Sequence, residues 1–174
     1  MEKFASFERL ADFVRSIDED EAVARIDRAA RLAGIDPELI VDREIMNASE
    51  LRRLMQDPLV RFGAHTMTHP NLTRVTVGRL RQELEPSAAK VADYTGHVSK
   101  AFAFPYGDHD AVGRREIKAV MEAGFSVAVT TQPGVLNSSS LERSTELGRV
   151  SLNGRYQKSR YVKALASGLP FKLS

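Results

Sequence analysis

Near the start of the chain apolar side chains recur every three or four positions: Phe4, Phe7, Leu10, Phe13, Val14 and Ile17, then Ala22, Val23, Ile26, Ala29, Ala30 and Leu32. That period predicts two amphipathic helices. Between them stands Asp18-Glu19-Asp20-Glu21, acidic residues that favour the N-terminus of the second helix through its macrodipole. Gly34 stops this helix and Pro37 cannot continue it. A third helix is predicted from Asn47 or Ser49, where Asn47-Ala48-Ser49-Glu50 matches a capping box, to just before Pro58. No convincing strand falls in this first third.

The pattern then changes. Leu59-Val60-Arg61-Phe62-Gly63-Ala64 reads as a short strand, followed by a polar loop at 65–73 and a helix over 76–94 closed by Gly96. Pro86 falls inside that helix, where a proline costs about 3 kcal/mol, so a kink or break is expected there. Ala101-Phe102-Ala103-Phe104 reads as a second strand, then a Pro-Tyr-Gly turn and a helix over 112–123 ending at Gly124. The β-branched run at 125–131 is a third strand and 149–152 a fourth, with a closing helix near 160–166. Strands alternating with helices predict βαβ units and a parallel sheet. The expected fold class is α/β, an incomplete (β/α) barrel over 59–174 behind a helical region at 1–58. A complete barrel takes about 200–250 residues and seven or eight strands, and four are counted here. The Phe4, Phe7, Leu10, Val14 and Ile17 face either packs across the barrel or meets a partner helix.

Composition narrows the function. At 174 residues, 43% hydrophobic and 28% charged, the chain can bury one sizeable core and is not disordered. A net charge of +2 argues against a protein built to grip nucleic acid. No apolar run is long enough for a membrane span, and the N-terminus lacks the h-region of a signal peptide. The expected location is cytoplasmic, with a leader left open should Met1 not be the true start. With no cysteine, disulfides and thiolate chemistry are excluded, and any metal must sit on histidine and carboxylate.

Two constellations carry chemistry. His65 and His69 form His-Thr-Met-Thr-His directly after a strand, and loops at the C-terminal ends of parallel strands hold active sites. Two imidazoles four apart can face one metal ion; alternatively they are surface residues of a solvated loop. Phe104-Pro105-Tyr106-Gly107-Asp108-His109-Asp110 follows the next strand. Its turn can aim backbone N–H groups into a site, while its carboxylates can equally cap the next helix, Asp110 in particular. His97 precedes a strand and belongs to the opposite, solvent-facing end.

Together these stretches resemble the polysaccharide deacetylase family, the NodB-homology carbohydrate esterases. His65-Thr66-Met67-Thr68-His69, with Gly63-Ala64 before it and Pro70-Asn71-Leu72 after it, is similar to the family's His-Ser/Thr-x-x-His motif. Phe102 to Gly107 matches part of its Phe-Arg-x-Pro-Tyr-Gly motif, and 122–131 also looks like the family. The resemblance covers about 59–152. It implies hydrolysis of N- or O-acetyl groups of a polysaccharide or oligosaccharide. It implies a divalent metal, zinc, on His65 and His69, with the Tyr106 backbone N–H stabilising the oxyanion. The family's Thr-Phe-Asp-Asp-Gly strand end, its third-motif Arg (here Ala103) and its late Leu-x-His are not found. Asp108 is the carboxylate expected to substitute as ligand or base. The missing Asp-Asp strand and the low strand count point to the C-terminal part of a longer deacetylase, or to a degenerate chain that self-associates through its open sheet edge. A non-catalytic carbohydrate-binding or regulatory remnant is the alternative.

Overall fold

The computed structural model describes residues 2–152 and 158–172. Its contacts divide the chain into two compact units, Met1–Leu51 and Arg52–Ser174.

The first unit is helical: α1 spans Glu2–Ser16, α2 Glu19–Leu32 and α3 Pro37–Glu44, and α4 (Ala48–Leu54) begins within it. Asp18 caps α2, its Oδ1 accepting the Glu21 N–H at 3.1 Å, so the acidic run does fall in a first helical turn. α3 departs from the sequence expectation. Pro37 does not continue α2 but opens this additional helix, which the sequence pattern did not include, because a proline in the first turn lacks only an N–H that has no intrahelical partner there. Asn47 and Glu50 cap α4 reciprocally: Asn47 Oδ1 accepts the Glu50 N–H at 3.1 Å and Glu50 Oε2 accepts the Asn47 N–H at 2.8 Å. Ala22 is the one buried residue described in this unit. Phe4, Phe7 and Leu10 are exposed.

The second unit holds the core. β1 (Ala101–Ala103) pairs in parallel with β2 (Val127–Val129), Phe102 opposite Ala128. Ala64 forms a parallel bridge to Phe102, and Val129 one to Leu147. Four chain segments therefore lie side by side, in the order 64, β1, β2, 147. The run expected as a strand over 59–64 makes only its last contact, with Leu59 90% exposed. The fourth segment pairs at Leu147, through Leu147 N–H to Ala128 O and Thr130 N–H to Leu147 O, each at 2.9 Å. The expected strand at 149–152 is not formed; the Arg149 N–H turns instead to Gln132 O. The described residues make part of a parallel sheet and no closed barrel.

α5 (Val77–Thr95) and α6 (Arg114–Glu122) pack on one another over this sheet. Leu72, Leu80, Leu84, Val120, Phe102, Phe104, Phe125 and Ala128 form a single buried cluster. α5 runs unbroken through Pro86. Gln82, whose carbonyl the proline leaves without its helical partner, and Pro86 itself are both exposed, so water can satisfy what the ring removes. Thr76 caps α5, and Gly96 ends it in the left-handed conformation. α7 covers Ser159–Ala166.

Candidate metal and deacetylation site

His65 and Tyr106 leave adjacent segments at the same sheet end. His65 directly follows the Ala64 bridge, and Pro105-Tyr106 follows β1 one residue later. The rings of His65 and His69 meet edge to face at a centroid separation of 4.7 Å, and His69 meets Tyr106 at 5.3 Å. All three side chains are exposed, so the cluster is open to solvent. His65 Nδ1 lies 2.7 Å from Ala103 O. A carbonyl can only accept, so Nδ1 carries the proton and Nε2 keeps the lone pair a metal would use. Desolvation pushes the His65 pKa down against the raising effect of the Ala103 bond, and the positive charges of His69 and Arg149 add to the lowering. The neutral imidazole, which is the metal-binding form, is thereby favoured.

The backbone is strained at this point. Thr66, His69 and Tyr106 have φ of 66°, 60° and 60°, and no other non-glycine residue described lies in that region. Such conformations persist only where surrounding bonds impose them. For the first loop those bonds come from Glu83 of α5. Its carboxylate, 2% exposed, accepts the Met67 and Thr68 N–H groups at 2.8 Å each and the Thr68 hydroxyl at 2.7 Å. Arg79 Nε lies 2.9 Å from Glu83 Oε1, and Arg79 also donates to Thr68 Oγ1. Burial alone pushes the Glu83 pKa up; the Thr68 hydroxyl, the two N–H groups and Arg79 outweigh it and hold the carboxyl below its usual range. Within the loop, Thr66 Oγ1 accepts the His69 N–H at 3.0 Å.

The second loop is held differently. Thr131, just beyond β2, donates its hydroxyl to Tyr106 O and its N–H to Gly107 O, both at 2.8 Å. Gly107 has φ 73°, and a Cβ there would stand 2.7 Å from Thr131 N, so only glycine fits. Asp108 Oδ1 accepts the N–H groups of Asp110 and Ala111 at 3.0 and 2.9 Å. The helix capping expected of Asp110 is not made: α6 starts behind Gly113, and Asp108 closes a separate turn before it.

The structure therefore brings His65, His69 and Tyr106 together, and it shows Asp108 bonded to its own turn. Among the described residues no group of three or more His, Asp or Glu side chains converges as a metal cage would. As a partial donor set the pair fits: two imidazoles in contact, one with its tautomer fixed. His97 lines a cleft of about 680 Å³ with Arg61 and Lys100 at the opposite end of the strands. Glu83 was missed in the sequence, although a signal existed. It lies on the same helical stripe as Leu80, Leu84 and Ser87, and an acid on a buried stripe must have partners.

Residues 38–128, more than half of the chain, match the family model for polysaccharide deacetylase, and the chain belongs to that family. No match is found among curated proteins. Among solved structures, the Streptococcus pyogenes deacetylase PplD in complex with acetate aligns with a TM-score of 0.60 at 17% identity, over 69% of this chain and 50% of that one. A polysaccharide deacetylase from Bacillus cereus aligns with the same TM-score at 21% identity, over 69% of this chain and 36% of its own. At these identities the likeness is one of fold. The chain spans half or less of the length of these structural neighbours. No helix among the described residues is long and apolar enough to cross a membrane.

Proposed function

We propose that this chain carries the histidine-pair part of a metal-dependent deacetylase site, removing N- or O-acetyl groups from a polysaccharide or oligosaccharide. The observation that carries the reading is the meeting of two strand-end loops, in strained backbone, that sets His65, His69 and Tyr106 edge to edge. Acetate, bound in the S. pyogenes structural neighbour, is the product such a reaction releases. His65 and His69 would hold a divalent ion, which their imidazole donors suit and which family membership implies to be zinc. Zinc there would supply Lewis acidity to an acetyl carbonyl and acidify a water molecule.

The chain's own residues do the rest. Ala103 O keeps the His65 proton on Nδ1 and its ring in orientation. The Tyr106 backbone N–H, held in place through Thr131, donates to the oxygen that gains charge, a contact worth about 3–4 kcal/mol in comparable sites. Of the two roles open to Asp108, ligand or base, we assign that of base, through Oδ2, since Oδ1 already serves the turn and the side chain does not converge with His65 and His69 as a third ligand would.

The absence of a three-group cage among the described residues favours a second reading, a carbohydrate-binding chain of the same fold without catalysis. Zinc stoichiometry beside His65→Ala and His69→Ala, with acetate release from acetylated chitooligosaccharide, separates the two. About one zinc per chain, lost in both variants, together with acetate release, supports the enzyme. Oligosaccharide binding with neither zinc nor acetate release overturns it in favour of the second reading.

A further inference from the structure

We propose that Glu83 is a positioning residue for the histidine pair, setting the separation of the two imidazoles from outside the loop that carries them. The inference rests on the reading that His65 and His69 hold a metal ion. Only Thr66, Met67 and Thr68 separate the histidines, and the backbone turns left-handed at Thr66 and at His69. Left to itself, so short a segment would relax toward ordinary dihedrals. Glu83 prevents this by taking two of the three intervening N–H groups, those of Met67 and Thr68, on one oxygen, Oε2, and the Thr68 hydroxyl on the other, Oε1. Arg79 closes the ring, reaching both Glu83 Oε1 and Thr68 Oγ1. Four donor groups thus converge on two oxygens.

A carboxylate is required there, and not merely a polar group of that size. An ionised carboxylate is acceptor-only, whereas a glutamine must turn its NH₂ toward either the two backbone N–H groups or the Thr68–Arg79 pair. The first choice opposes donor to donor at the two N–H groups; the second lets the Thr68 hydroxyl accept but opposes the Arg79 guanidinium, so either opens the clamp on the loop. Outer partners of metal ligands act in this way elsewhere, and their loss costs about 10- to 100-fold in affinity.

The test compares Glu83→Gln with Glu116→Gln. Glu116 is equally buried, accepts the Gly113 N–H at 2.9 Å, and touches neither loop, so it controls for general destabilisation. In the metal-free protein, NMR should show a ring-to-ring contact between His65 and His69 that Glu83→Gln loses and Glu116→Gln keeps. Zinc affinity by calorimetry should fall about 10- to 100-fold in Glu83→Gln only. If Glu83→Gln fails to fold, Thr68→Val, which removes only the two hydroxyl bonds of the clamp and keeps both backbone N–H bonds to Glu83, should show a smaller loss of both in the same direction. A ring contact and affinity within twofold of the parent in these variants would overturn the proposal, as would an equal loss in Glu116→Gln. If the parent binds no zinc, the metal reading falls, and the ring contact alone decides the role of Glu83.

Discussion

The loop at 65–69 and the turn at 105–108 leave neighbouring segments of one sheet and meet ring to ring, yet they are fixed by different means. The first hangs from a buried charge on α5, with Glu83 gathering donors from Met67, Thr68 and Arg79. The second is fixed by backbone fit: Gly107 lies against Thr131, and Asp108 folds its oxygen onto its own turn. The difference teaches where each half of the site is vulnerable. Electrostatics should undo the histidine loop, and bulk should undo the Tyr106 turn.

The largest effect is expected from Glu83→Ala. Deleting the carboxylate strands two N–H groups and a hydroxyl, which at 1–3 kcal/mol per unsatisfied buried group, partly relieved by water at the exposed loop, amounts to about 3–4 kcal/mol by urea denaturation. A loss under about 1 kcal/mol would show that the loop holds itself and dissolve the contrast. Gly107→Ala should cost about 2–3 kcal/mol, from the left-handed φ and the close approach to Thr131 N, with the His65–His69 ring contact left intact. A histidine loop disturbed by this change would mean that the two halves are not separately held.

Acid should also tell them apart. The Glu83 carboxyl titrates below its ordinary value of 4.5 in the folded state, so its stabilisation is complete above that pH and is lost as pH falls through the folded value. Thermal unfolding across pH 3–6 should therefore be steeper in the parent than in Glu83→Gln, and parallel slopes would remove the charge from the account. The smallest effect belongs to Asp108→Asn. A neutral acceptor keeps the turn bonds, so stability should change by about 0.5 kcal/mol or less. A loss of acetate release at unchanged zinc affinity then reports the base role assigned to Asp108.

Much of this was legible in the sequence and some could not be. The alternation of strands and helices, the acidic start of α2, the capping box at Asn47 and the two motif loops follow from local pattern. The strand expected over 59–64 shrank to Ala64 because a strand needs partners, and its β-propensity cannot supply them. Pro37 does not continue α2, as expected, but α3 went unforeseen because the same proline suits the first turn of a new helix. The convergence of His69 on Tyr106 is a product of tertiary packing. Glu83 acts from 14 positions beyond His69, and no spacing rule links them.

Three residues of this site sit where glycine would be more comfortable. In a library of all substitutions scored only for soluble, folded protein, glycine at 66, 69 and 106 should therefore be tolerated better than most replacements, since it relieves φ at each. Scored for zinc capture, the same glycine clones should drop out at 69, and at 66 where the Thr66 hydroxyl anchors His69. The functional surface of this chain would then be mapped by the disagreement between two screens, with neither screen needing a known substrate.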